Sequence, residues 1–318
     1  MTRLLVFLAA LLLLSPVHAQ VSKPASIVVF GDSLSDTGNA FEATGHAVPP
    51  SPPYFDGRFS NGPVWVEVVA EHFGLKVEPA LQGGTNFAVG GAKLGTDLDN
   101  MMNQVQVFLN TSHVINGIHP DDLFIVFGGG NDLSSGLGVS DQEGFVTETA
   151  MKVGDIIDEL AAHGAAIFLV PNIPNRGLAP AARSRGTEAE EQALTLAFNA
   201  AVDVIVADAA TRLNVKIIRV DLFTLAQSAV TMPAPFGFTD VTNPCLVKQG
   251  AAFAVCSAPD FHLFWDDIHP TERGHQLIAS TALAAFQSAS AQTNQPVSPH
   301  PSVVERIGNE VRKFIKRL

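Results

Sequence analysis

Five short runs of apolar, mostly β-branched or aromatic residues recur along this chain, at 26–30, 86–89, 123–127, 166–170 and 215–220. Apart from Lys216 and Arg219 in the last run, the apolar residues are continuous rather than alternating, the pattern of a strand covered on both faces. Helix-period apolar positions fill the intervals at 62–73, 98–110, 142–163 and 188–213, and Thr187 with Glu190 three residues on reads as a capping box for the last of these. After His269, Pro270 and Thr271 open a final core helix that runs to about Phe286. This alternation predicts an α/β fold: a five-stranded, mostly parallel sheet between two helical layers, in a three-layer α/β/α sandwich.

At 318 residues, 47% hydrophobic and 16% charged, the chain can bury a full core in one large domain, placed at 20–287. Ahead of it, a lone Arg3, an apolar run from Leu4 to Leu14 and the small-residue site Val17-His18-Ala19 predict a secretory signal peptide at 1–19, cleaved after Ala19. The run is shorter than the roughly 20 residues a spanning helix needs. The expected location is therefore secreted or periplasmic. Losing Arg3 takes one from 19 basic residues against 31 acidic, leaving a net charge of about −13, which argues against a nucleic-acid partner. Export also places the two cysteines, Cys245 and Cys256, in an oxidising compartment, where they are expected to form a disulfide.

Two segments break the strand–helix rhythm. Residues 41–61 and 221–265 hold much of the proline and glycine and read as long surface loops that frame a site. Residues 288–302, SASAQTNQPVSPHPS, read as a linker. Beyond it, at 303–318, Val304, Ile307, Val311, Phe314, Ile315 and Leu318 share one helical face and Arg306, Arg312, Lys313, Lys316 and Arg317 supply another. Such a basic amphipathic helix either docks on the acidic body or makes a peripheral contact with an anionic membrane or a partner.

Four separated pieces carry chemistry: GDSLSDTGN after the first strand, GGTNFAVGGA across the second, GGGND after the third and WDDIHPT before the last helix. All belong at the carboxyl edge of one sheet, where open α/β folds build their sites. Ser33, delivered to a turn by the first strand, is the candidate nucleophile. A carboxylate three residues before an imidazole can reach its Nδ1 proton and leave Nε2 toward the serine, so Asp266 rather than the adjacent Asp267 is expected to orient His269. Gly90 or Gly91 can present a bare backbone N–H to an oxyanion, and Asn131 a neutral amide. Taken singly, these motifs also read as a helix cap, a tight turn and an Asx-turn.

In that order, FGDSLSDTGN, NFAVGGA, GGND and DDIHP resemble the first, second, third and fifth blocks of the GDSL-type, or SGNH, hydrolase family. PPYFDGRFSNGPVWVEVVA resembles the stretch after the first block in its secreted lipases and acyltransferases. The resemblance spans about Ala25 to Phe286. It implies a flavodoxin-like sheet and a triad of Ser33, Asp266 and His269. It also implies an oxyanion hole of the Ser33 N–H, the Gly91 N–H and Asn131, with no metal or organic cofactor. Phe55, Phe59, Phe236, Phe238, Phe261, Phe264 and Trp265 crowd the two long loops and could line an acyl-chain groove, and His262 could line the pocket. The expected activity is acyl-enzyme hydrolysis of lipid esters, as a phospholipid or lysophospholipid acylhydrolase with acyltransferase capacity. The alternatives are a short-chain arylesterase, a carbohydrate deacetylase, or a non-catalytic binding module on the same fold.

Overall fold

The computed structural model describes residues 23–291 and 303–315 except 96, 112, 113, 115, 116 and 251. The leader at 1–19 and residues 292–302 of the linker lie outside them. Strands β1 (Ile27–Gly31), β2 (Leu123–Phe127), β3 (Ile167–Pro171) and β4 (Lys216–Val220) pair in parallel in that order. The first three are buried at every position, as their unbroken apolar runs require.

Among the described residues the sheet has four regular strands rather than five. Residues 85–89 do run along the free edge of β1: Val29 N–H donates to Thr85 O, and Phe87 and Val89 N–H donate to Val29 O and Gly31 O. Only Val29 and Asn86 form a ladder bridge, however. The Gly31 N–H that a continued ladder needs goes instead to Gln104 Oε1. One side-chain amide thus takes the place of a ladder partner.

The helices are α1 (Asn39–Ala43), α2 (Trp65–His72), α3 (Met101–Leu109), α4 (Gly130–Ser134), α5 (Gln142–Ala162), α6 (Pro180–Arg185), α7 (Glu188–Leu213), α8 (Leu222–Thr231), α9 (Glu272–Ala291) and α10 (Val303–Ile315). α5 packs on α7, and α2 on α9, as the two outer layers of the sandwich. The capping box at α7 is not formed: Thr187 Oγ1 donates to the Glu191 carboxylate, while Glu190 Oε1 accepts from Gly138 N–H and Gln142. α9 continues to Ala291, so 288–291 are helix rather than linker, a run of small Ser and Ala residues that a helix accommodates.

The 221–265 segment is more ordered than its composition implies. It holds α8, the strand pair β5 (Asp240–Pro244) and β8 (His262–Phe264), and the hairpin β6 (Leu246–Gln249) and β7 (Ala252–Val255). Cys245 and Cys256 form a disulfide across the base of that hairpin. α10 lies on α7 and α5 with Ile307 and Val311 buried, and Arg312 bonds Glu143.

Candidate active site

β1 ends at Gly31 and the chain turns at once: Asp32 O accepts the N–H groups of Ser35 and Asp36, and Asp32 Oδ1 accepts that of Leu34. This turn holds Ser33 at the carboxyl edge of the sheet, with its Oγ 2.8 Å from His269 Nε2. On the far side of the ring, Nδ1 lies 2.7 Å from Asp266 Oδ2 and 3.0 Å from Oδ1. Asp266 Oδ1 also accepts the backbone N–H groups of Ile268 and His269, which fixes the carboxylate within its own turn. Asp267 is exposed, and only its backbone carbonyl is engaged, by Ala181 N–H. Of the two candidate carboxylates, Asp266 is therefore the one that meets the imidazole.

The electrostatics follow from burial and pairing. Burial alone would raise the Asp266 carboxyl, but the charge and hydrogen bonds of His269 outweigh it and hold the pKa at about 2. Burial disfavours the His269 cation, yet Asp266, with Asp32 behind it, overcomes that and raises its pKa. Asp32 is pushed up to about 6 by burial, against the Leu34 N–H and the charges of His269 and Arg176.

The two glycine candidates separate cleanly. Gly90 N–H is committed to Asp36 Oδ2 at 2.8 Å, and a Cβ on Gly90 would run into the Phe59 ring. Gly91 has φ +83°, a conformation that favours glycine, and among the described residues its N–H has no acceptor. Asn131, at the start of α4, spends one amide proton on Ala92 O at 2.9 Å, which leaves the second for a ligand and ties the third motif to the second. The first two motifs are laced as well: Asn39 Nδ2 donates to Asn86 O and Ala88 O, and Asn86 Nδ2 to Ser35 O.

Ser33 and Asn131 open into a cavity of about 180 Å³ that extends across the carboxyl ends of the strands toward α8 and α9. Its walls include Ile173, Leu222, Leu225, Leu263, Ile268 and Leu277, with Asp32 and Arg176 as polar groups beside the serine. The walls differ from the expected aromatic groove. Of the seven aromatics proposed, only Phe264 reaches the cavity; Phe59 packs on the His269 ring, Trp265 and Phe238 are buried elsewhere, Phe236 is half-buried outside the cavity, and Phe55 and Phe261 are exposed. Aliphatic residues of α8, a helix within the presumed loop, take their place. His262 lies outside the cavity, its Nδ1 3.4 Å from Asn243 O.

A family model described as GDSL-like lipase/acylhydrolase matches residues 27–282. The chain belongs to this family. A phosphatidylcholine-sterol acyltransferase of Aeromonas hydrophila is 28% identical over 324 residues, covering 86% of this chain and 93% of the relative. GDSL esterase/lipase 6 of Arabidopsis thaliana is 26% identical, covering 85% and 89%. Among solved structures, a member of the lipolytic G-D-S-L family from Veillonella parvula covers 82% of this chain and 98% of its own, at 16% identity and a TM-score of 0.45. As a GDSL esterase/lipase, this protein is a serine ester hydrolase.

Sequence reasoning missed Tyr54, whose hydroxyl donates to Asp266 Oδ2 at 2.7 Å, the buried Asp32, and Asp36, which takes the Gly90 N–H. Asp32 and Asp36 stand inside the first motif, so the signal for them was position alone.

Proposed function

We propose that this GDSL hydrolase cleaves acyl esters of phospholipids or lysophospholipids through an acyl-enzyme on Ser33. The observation that carries the reading is a serine–imidazole contact of 2.8 Å at the mouth of an apolar cavity. His269 Nε2 takes the hydroxyl proton as Ser33 Oγ attacks the ester carbonyl, and Asp266 stabilises the imidazolium that forms. The oxyanion is met by the N–H groups of Ser33 and Gly91 and by the second amide proton of Asn131. His269 then gives its proton to the leaving alkoxide. Water, deprotonated by His269 in turn, releases the fatty acid and frees Ser33.

A cavity walled by leucine and isoleucine favours an alkyl chain over an acetyl group on a sugar, because each buried methylene contributes about 0.8 kcal/mol. The acyltransferase name of the Aeromonas hydrophila relative supports a phospholipid donor, with a sterol replacing water as the second-step acceptor. Export through the leader belongs to the same proposal. The helix at Val303–Ile315 does not enter it, since Ile307 and Val311 are buried against the body.

The test is lipid profiling of wild type and Ser33→Ala with phospholipids, lysophospholipids, triacylglycerols and acetylated sugars, with and without a sterol. Release of long-chain fatty acid by wild type alone is the expected result. Preference for acetyl esters refutes the substrate assignment, and full activity of folded Ser33→Ala refutes the mechanism. Absence of a serine-directed phosphonate adduct on folded protein would favour the binding-module reading.

A further inference from the structure

We propose that Tyr54 is a positioning residue for this chemistry: its hydroxyl, donating to Asp266 Oδ2, sets how strongly Asp266 holds positive charge on His269. The inference rests on Ser33, His269 and Asp266 acting as a triad. Tyr54 is the only tyrosine of the chain, and it reaches Asp266 across 212 residues of sequence. The contact is 2.7 Å, the length of a hydrogen bond to an ionised oxygen.

The loop around it clasps the Asp266 turn at several points. Ser60 Oγ donates to Pro270 O, and Glu272 N–H donates to Asn61 Oδ1. The Phe59 ring lies 5.2 Å from the His269 ring, and the Tyr54 ring stands edge-on to Trp265 and Phe59. Packing alone would need only a phenyl ring at position 54. The hydroxyl is aimed at the oxygen that makes the shorter contact with His269 Nδ1. Burial and the Asp266 charge push the phenol well above its ordinary pKa, so it remains a donor throughout the working range.

A donor on a carboxylate draws off part of its negative charge and weakens its pull on a neighbouring cation. Tyr54 therefore restrains the basicity that Asp266 confers on His269 while fixing the carboxylate's orientation. Without the hydroxyl, His269 retains its proton to higher pH, and the acid limb of kcat/KM moves up.

The single tyrosine permits a graded test, because 3-fluorotyrosine supplied to a tyrosine auxotroph changes this site alone. The kcat and kcat/KM pH profiles of the full-length enzyme would be compared for wild type, the fluorotyrosyl protein and Tyr54→Phe, with a soluble ester as substrate. Tyr54→Phe is expected to lower kcat about tenfold with little change in KM and to move the acid limb upward. The fluorinated phenol, a stronger donor, moves it downward. Opposite displacements support the proposal; profiles that coincide with wild type, or a loss confined to KM, overturn it. Should Tyr54→Phe fail to fold, the fluorotyrosyl enzyme decides alone, since its ring and packing are kept. Ser33→Ala and Asp266→Asn in the same assay separate the levels: their activity would overturn the triad and this role together, whereas their inactivity beside unmoved Tyr54 profiles overturns only this role.

Discussion

Replacing Asp32 by Asn should stabilise the protein at alkaline pH while impairing it as a catalyst. Asp32 is 4% exposed, and its pKa rises from 3.8 to about 6, chiefly by burial. Between those values the folded state binds more protons than the unfolded chain, so stability falls as pH rises. The penalty is absent well below 3.8 and complete above about 6, where it amounts to roughly 3 kcal/mol at about 1.4 kcal/mol per unit. Asn reproduces the shape of the neutral carboxyl, and its Oδ1 can still accept the Leu34 N–H. Urea unfolding of wild type and Asp32→Asn, extrapolated to water, should give similar stabilities near pH 4 and an advantage of up to about 3 kcal/mol for the variant near pH 8. The same charge helps raise the His269 pKa, so its removal should shift the acid limb of kcat/KM downward and lower kcat. A stability difference that is the same at both pH values, or a variant weaker near pH 8, would refute the reasoning. The implied trade is stability given up for a negative charge behind the imidazolium.

Asn131→Ala should lower kcat on the order of a hundredfold or more while thermal melting stays cooperative, because one oxyanion donor is lost; steady-state kinetics on a soluble ester checks it. Ala226→Leu, in the cavity wall, should reduce kcat/KM for long-chain relative to acetyl esters by roughly fourfold per excluded methylene, read from a chain-length series. Replacing Cys245 and Cys256 by Ser opens an 11-residue separation and should cost about 3 kcal/mol in the chain-entropy account, measured by chemical denaturation under oxidising conditions.

What could be read from the chain divides by the range of the interactions involved. β1, β2 and β3 announce themselves because burial on both faces demands continuous apolar residues, a property of each strand alone. The segment at 86–89 is mostly apolar too but fails as a regular strand, since Gln104 takes the Gly31 N–H its ladder would use. α8 was hidden for the opposite reason: proline and glycine at 232–244 dominate its surroundings, and its leucines line the cavity as well as packing on the core. At the site, Asp266 and His269 are legible because they meet within one turn, three residues apart. Ser33 meets His269 across 236 residues, and only the ordering of four motifs along the chain suggests it. Gly91 is separated from Gly90 by Asp36, a side chain 54 residues away from the N–H it claims. Tyr54 has no such companion signal, for nothing local in PPYFDGR states that its hydroxyl will face a carboxylate. The groups proposed to react thus stand in recognisable motifs, while those proposed to tune them, Asp32 and Tyr54, take their places only when loops distant in sequence are folded against one turn. Substitutions at those two positions should therefore change pH profiles and stability more than they change the identity of the reaction.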